Sequence, residues 1–292
     1  MPESPTADTE ASERLPYRLR KWLLQRATST RGADQHSRLA DSDWDVLLVL
    51  DACRLDICRD AVDWPVQETQ SPASCTPDWL SEAADSGLFA GTKILTANPQ
   101  YDKFEFDAEA IEHFWESHWD DTLQTVLPEP VLGRVSEHLD GGASPVVAHL
   151  QQPHWPYVAR IDERWELAYP ELGPWSDGDD LIRSMQVAMA RGEIDTEHAY
   201  RAYQASVRSI WRTLLPAIEG WVADGNRVIV TADHGELFGG MGDWTMYEHP
   251  CKVGVRPLTA VPWVEFAASK QAPDDGDDDT VQDRLEALGY AE

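Results

Sequence analysis

The chain reads as an α/β domain, a mostly parallel central sheet with helices on both faces. Three observations predict this. Short apolar runs without polar alternation, such as WDVLLVLDACR over residues 44–54, recur along the sequence, as a strand buried on both faces requires. Stretches of helical character separate these runs, so strand and helix alternate. The length, 292 residues, suffices for one domain with a sizeable core.

Taken in order, residues 1–13 are polar and carry no periodicity. Residues 14–31, RLPYRLRKWLLQRATSTR, hold six of the 24 basic residues (Arg14, Arg18, Arg20, Lys21, Arg26, Arg31), with Leu19, Trp22, Leu23 and Leu24 as an apolar side. This predicts a short basic amphipathic helix docked on the acidic body, weak contact with a membrane surface being the lesser reading. Residues 1–42 are therefore set apart as tail and helix, and the domain proper spans 43–292. Its strands are expected within WDVLLVLDACR, then at TKILTA (92–97), PVVAHL (145–150), NRVIVTAD (226–233) and VPWVEF (261–266). Helices are expected at 77–87, 107–119, 130–139 and 195–223. An acidic loop, DDGDDD (274–279), precedes a last helix over 281–290.

Composition narrows the function. The chain carries 52 acidic against 24 basic residues, a formal net charge of −28. Such a surface repels phosphate backbones, which argues against nucleic acid as a partner. The abundance of aspartate fits a protein adapted to high salt, where screening removes the self-repulsion. The four cysteines, Cys53, Cys58, Cys75 and Cys251, form no metal-type pair and suggest no disulfide framework, so reduced thiols are expected. No apolar run reaches the ~20 residues of a membrane span and no signal-peptide core is legible, so a cytoplasmic location is expected.

In parallel sheets, functional side chains gather at the carboxyl ends of strands. Three of the expected strands end in polar groups: the first in Asp51, the third in His149 followed by Gln-Gln-Pro to His154, the fourth in Asp233-His234. Carboxylate oxygens and imidazoles suit a divalent cation. A strand-end Asp can serve as a helix cap, and a single His can be satisfied by its neighbours. Convergence of Asp51, Asp233 and His234 on one edge is harder to explain so, because buried carboxylates are costly unless paired or metal-bound.

Asp51 in VLDACR, the TADHGE segment, and the closing YEHP…VPW and LEALGY segments resemble the alkaline phosphatase superfamily, in particular its sulfatase-like branch. The LGY ending is similar to that of haloarchaeal sulfatase-like proteins. The resemblance covers most of residues 43–290, and TADHGE after a strand is its most specific element. It implies that Asp51, Asp233 and His234 hold one tight divalent ion (zinc, manganese, magnesium or calcium). It further implies a nucleophile on a loop leading into a helix, here SPASCTPDWL (71–80), where helix amides favour an anion. Thr76, Cys75 and Ser74 are the alternatives, and Thr76 would also contact the metal. Sulfatases carry Cys-x-Pro-x-Arg with the cysteine converted to formylglycine. Cys75-Thr76-Pro77 matches the first half, but Trp79 stands where Arg would be and Ala52 where a second acid often follows Asp51.

His149 and His154 are similar in spacing to the histidines that face substrate in phosphoethanolamine and glycerol-phosphate transferases. His249 in YEHP resembles the histidine found shortly after the Asp-His-Gly-Glu element in the same enzymes; in two-metal phosphatases a late histidine instead binds the second metal, and His154 or His249 is expected to protonate the leaving oxygen. The implied activity is that of a metal-dependent hydrolase or phospho-group transferase acting on phosphate or sulfate esters, with a glycan precursor as the implied substrate. The rival reading is a non-catalytic scaffold that binds an anionic glycan or a partner protein, and a phosphoglycerate-mutase-like enzyme is a third. Trp155, Tyr157 and Trp244 lie near these segments and are weighed for sugar stacking against packing.

Overall fold

The computed structural model describes residues 19–28, 34–142, 144–170, 189, 192 and 194–268. The expected helix at 281–290, the acidic loop before it and residues 14–18 of the basic segment lie outside the described residues. In chain order the elements are α1 (19–27), α2 (Gln35–Asp41), β1 (Val46–Asp51), α3 (Leu55–Ala61), β2 (Gln67–Gln70), α4 (Thr76–Asp85), β3 (Lys93–Thr96) and β4 (Ala110–His113). There follow β5 (Trp119–Asp120), β6 (Thr125–Val126), α5 (Pro128–Asp140), β7 (Val146–Pro153), β8 (Val158–Ile161) and β9 (Arg164–Leu167). The last are α6 (Thr196–Ala223), β10 (Val228–Ala232), β11 (Leu237–Phe238), β12 (Tyr247–Glu248), α7 (Arg256–Thr259) and β13 (Ala260–Phe266).

Seven strands form the central sheet in the order β2-β13-β10-β1-β7-β3-β4. The five from β10 to β4 run parallel. The VPWVEF strand, β13, runs antiparallel to β10, and β2 antiparallel to β13. The sheet is thus mostly parallel, with an antiparallel edge. In β1, Val46, Leu48 and Leu50 point to one face and Leu47 and Val49 to the other, following the period-two geometry of a strand. The first set packs with α3, α5 and α6 through Ile57, Val131, Val135, Tyr203, Ile210 and Leu214. The second packs with α2 and α4 through Leu39, Trp79, Leu80 and Ala83. Helices therefore cover both faces, and β1, buried at all six positions, can be apolar throughout.

One expected helix is absent. Residues 107–119 contain strand β4, a short 3-10 turn at Phe114–Glu116 and the start of β5. Ala108, Ile111, Phe114 and Trp115 are spaced as on a helix face, but β4 instead extends the sheet edge beside β3. Pairing with a formed edge outweighs a weak local preference. The short helices α2 and α3 and strand β2 were not anticipated.

Helix α1 docks on the body as expected of the basic segment. Leu24 enters a small apolar cluster with Leu237, Met246, Val253, Val255 and Leu258, and Gln25 Nε2 donates to the Cys251 carbonyl at 2.9 Å. None of the helices among the described residues is long and apolar enough to cross a membrane.

Candidate active site

The carboxyl ends of β1 and β10, central neighbours in the sheet, bring Asp51 and Asp233-His234 together. Thr76 reaches the same point as the first residue of α4, preceded by Cys75 in extended conformation and followed by Pro77. The Thr76 hydroxyl donates to Asp233 Oδ2 at 2.7 Å and lies 3.1 Å from His234 Nε2. His234 Nε2 lies 3.4 Å from Asp233 Oδ2 and 3.8 Å from Asp51 Oδ1. All four residues are buried. Local backbone holds them. The amides of Ala52 and His234 donate to Asp233 Oδ1 at 3.0 and 2.8 Å. Ala52 adopts a left-handed φ of 58°, which turns its amide inward, and its carbonyl accepts from the Tyr203 hydroxyl at 2.7 Å. Gly235 is required by contact: a β-carbon there would lie 2.1 Å from the Pro257 carbonyl oxygen.

Two acids and a histidine are buried together here. Burial, then the charge of Asp233, pushes the Asp51 carboxyl well above its ordinary range, a hydrogen bond from Asn98 opposing in part. Two buried carboxylates this close disfavour each other's ionisation unless positive charge intervenes. His234 is held well below its usual value, by burial first and then by His249. It is therefore neutral, with Nδ1 2.8 Å from the Gly235 carbonyl. Nδ1 must carry the proton there, which leaves an Nε2 lone pair aimed at the two acids. Asp51 Oδ1 is buried with no hydrogen-bond partner. Asp51, Asp233, His234 and the Thr76 hydroxyl are the groups that could hold a divalent cation at this point.

His149 is fully buried, as Asp233 and His234 are, and its ring meets those of Trp79 and Tyr101 edge-on. Between Leu50 and Asp51 the register against β7 slips, so that Val49 pairs with His149 but Asp51 with Pro153. The bulge carries the chain past His149 to the rim, and such irregularities are frequent beside active sites. His149 Nδ1 is 3.1 Å from the Tyr101 hydroxyl, and its unpartnered Nε2 is 3.8 Å from Asp233 Oδ2. One ligand atom each from Asp51, His149 and Asp233 fall within 4.8 Å of one another, so His149 stands beside the two acids as a further group that could hold a cation. Burial lowers its pKa to about 4, keeping it neutral.

His154 and His249 form a second layer at the mouth. Their rings lie 5.1 Å apart, and His249 stacks on His234 at 4.5 Å. His249 Nδ1 is 3.2 Å from Glu236 Oε2. Burial opposes charge on His249, but the Glu236 carboxylate outweighs it and raises the pKa. His154 moves the other way, lowered by burial and then by His249. Its Nδ1 bonds the Trp155 carbonyl at 2.6 Å, leaving Nε2 free to accept. The two imidazoles thus have their pKa values pushed apart.

Two cysteine expectations are corrected. Cys75 and Cys251 form a disulfide across 176 residues, with Cα atoms 5.0 Å apart. The spacing could not reveal it, because the pairing joins the α4 loop to the loop after β12, which only the fold brings together. Cys75 thus has no free thiol to serve as nucleophile or to become formylglycine. Ser74 is also engaged, its hydroxyl donating to the Pro250 carbonyl at 2.8 Å and accepting from the Val253 amide at 3.1 Å. Neither Ser74 nor Thr76 caps α4, whose N-cap is Cys75 without a side-chain bond. Replacing Cys251 by Ser is expected to destabilise the fold by about 2–5 kcal/mol through the long loop it frees. Denaturant unfolding with and without reductant checks this: reductant should shift the wild-type midpoint and leave the variant's unchanged.

Three residues outside the sequence expectation take part. Asn98 Nδ2 donates to Asp51 Oδ2 at 2.6 Å, and Tyr101 and Glu236 support the histidines. Asn98 stands just past the end of TKILTA, so the strand-end rule applied to that strand would have found it. Trp155 and Tyr157 are core residues, which settles them as packing rather than sugar platforms. Trp79, at the position where a sulfatase has arginine, is fully buried and donates from Nε1 to Gln35 Oε1 at 2.9 Å.

A scan against known protein families finds no match, and a search of curated proteins finds none. Among solved structures, the chain is similar to the soluble domain of lipooligosaccharide phosphoethanolamine transferase A from Neisseria meningitidis. That match has 13% identity and a TM-score of 0.49, covering 77% of this chain and 76% of that one. The chain spans 49% of the integral membrane form of that enzyme. It is similar to a putative sulfatase from Bacteroides thetaiotaomicron, with 12% identity, 85% and 71% coverage and a TM-score of 0.48. It is also similar to the phosphoglycerol transferase GacH from Streptococcus pyogenes, with 12% identity, 90% and 77% coverage and a TM-score of 0.42. These neighbours are sulfatase-like members of the alkaline phosphatase superfamily.

Proposed function

We propose that the protein transfers a phospho group from a phosphate ester to an acceptor hydroxyl through a covalent phosphothreonine at Thr76, with a phosphorylated glycan precursor as the substrate class. The observation that carries this is the Thr76 hydroxyl at the start of α4, 2.7 Å from Asp233 and 3.1 Å from His234, beside a cysteine locked in a disulfide. A hydroxyl nucleophile suits phosphate, whereas sulfatase chemistry needs the modified cysteine and the arginine that this chain replaces with Trp79. Bound between Asp51, Asp233 and His234, a divalent ion supplies Lewis acidity that lowers the pKa of the hydroxyl and neutralises charge on the phosphoryl oxygens.

The rest falls to the chain's own side chains. Thr76 Oγ, its proton lost to solvent, attacks phosphorus as the Thr76–phosphorus bond forms and the bond to the leaving oxygen breaks. His249, its pKa raised by the Glu236 carboxylate, gives a proton to that leaving oxygen. In the second half the acceptor hydroxyl returns a proton to His249 and attacks phosphorus. The Thr76–phosphorus bond then breaks and regenerates the Thr76 oxygen for the next cycle. His154, an acceptor only at Nε2, orients the incoming hydroxyl.

The Cys75–Cys251 bond supports work in an oxidising compartment rather than the reducing cell interior, since such bonds persist outside it. The test is a screen of metal-loaded protein against phosphodiester, phosphomonoester and sulfate-ester probes, followed by peptide mass spectrometry. A phospho-adduct on Thr76 and turnover of a phosphate ester are expected. Turnover of sulfate ester alone, or full metal loading with no adduct and no turnover, would move the reading to a sulfatase or to a binding scaffold.

A further inference from the structure

Helix α1 turns its apolar stripe outward. Leu19, Trp22 and Leu23 stand at positions i, i+3 and i+4, one face of the helix, and are 55%, 46% and 51% exposed. An amphipathic helix on a protein body ordinarily buries such a stripe. Here the inward contacts are mostly polar. Arg20 donates to the Thr245 carbonyl at 2.8 Å and to its hydroxyl, Gln25 to the Cys251 carbonyl, and Thr28 Oγ1 accepts from the Gly254 amide at 2.9 Å. With Leu24 as the one buried apolar anchor, these bonds fix the rotation of the helix. Trp244, adjacent to the Thr245 that Arg20 grips, is 54% exposed. Seven large apolar side chains are exposed among the described residues, and four belong to α1 and Trp244.

Charge points to the partner. Residues 19–28 carry Arg20, Lys21 and Arg26 and no acid, in a chain of net charge −28. The Arg26 guanidinium stacks over the Trp22 ring, 4.1 Å from its centre, so a cation and an indole stand together at the surface. Exposed Leu and Trp flanked by basic residues on one short helix is the pattern of a segment lying in the bilayer interface, where indoles sit at headgroup depth. The acidic body would be repelled by the same surface, which orients the molecule with α1 towards it. Screening confines that repulsion to charges within about 8 Å at physiological ionic strength.

We propose that α1 and Trp244 form a docking surface for an anionic lipid bilayer. Leu19, Trp22, Leu23 and Trp244 enter the boundary between headgroups and acyl chains, and Lys21 and Arg26 meet lipid phosphates. The helix rests on the loop that carries His249 and Cys251, so docking places that loop near the bilayer surface. The docking is independent of the chemistry proposed above; only the consequence that the ester processed lies at that surface rests on it.

The test is flotation of the full chain with vesicles of phosphatidylcholine alone or with about 30% phosphatidylglycerol. Two variants are compared, Leu19→Ser/Trp22→Ser/Leu23→Ser and Lys21→Glu/Arg26→Glu, with thermal unfolding as the check that each is folded. Wild type should float with the anionic vesicles, and each variant should bind at least about tenfold more weakly. Turnover of a water-soluble ester by both variants should equal wild type, since none of these residues touches the site. Failure of wild type to bind anionic vesicles, equal binding to both vesicle types, or equal binding by folded variants would each overturn the proposal. So would a concentration-dependent dimer, seen without vesicle binding and abolished by the triple variant, which would assign the patch to a second copy of the chain. Absence of turnover with binding intact would count against the chemistry and leave the docking standing.

Discussion

Thr76→Ala is expected to reduce turnover of a phosphate-ester probe by about 10³-fold or more, the scale at which a covalent nucleophile is lost while the rest of a site remains. The fold should survive, because Asp233 keeps its hydrogen bonds from the Ala52 and His234 amides and Ala suits the first turn of a helix. Thr76→Ser keeps the hydroxyl and should retain part of the activity, with its loss in kcat more than in KM, because Ser holds Oγ in a less restricted rotamer. Steady-state kinetics and a search for the phospho-adduct on the peptide containing residue 76 check both. Thr76→Ala with near wild-type kcat would remove Thr76 as the nucleophile.

Loss of metal through Asp51 or Asp233 is the second large effect. Asp233→Ala and Asp51→Asn should each abolish stoichiometric divalent metal in the purified protein, read by elemental analysis. In wild type, metal at a thousandfold its dissociation constant should stabilise the fold by about 4 kcal/mol, and neither variant should show this shift. Without metal the sign differs for Asp51→Asn. The two buried carboxylates repel, and burial together with Asp233 already drives the Asp51 carboxyl upward. A neutral isostere relieves that, so metal-free Asp51→Asn should unfold at a denaturant concentration equal to or above metal-free wild type. Equal metal content in wild type and both variants would refute the cation site. A metal-free Asp51→Asn protein far less stable than metal-free wild type would show that the carboxylate serves the fold rather than a cation.

What the sequence by itself determined was local. A buried parallel strand must be apolar on both faces, so its polar last residue is conspicuous, and parallel strands put all their carboxyl ends on one edge. Asp51 at the end of β1 and Asp233-His234 after β10 could therefore be placed together from residues alone, and Pro77 marked the start of the helix that presents Thr76. Tertiary structure decided what depends on residues far apart in the chain. Pairing in register with Val49 set His149 among Trp79 and Tyr101, and edge pairing with β3 made a strand of residues whose spacing suggests a helix. The fold brought Cys75 and Cys251 within bonding distance across 176 residues, and it set Glu236 against His249. It also turned the stripe of α1 outward, because Arg20, Gln25 and Thr28 found backbone partners on the loops before and after β12. Periodicity states that a helix has an apolar face; which way that face points follows from the partners that its polar residues meet, and only the folded chain supplies those.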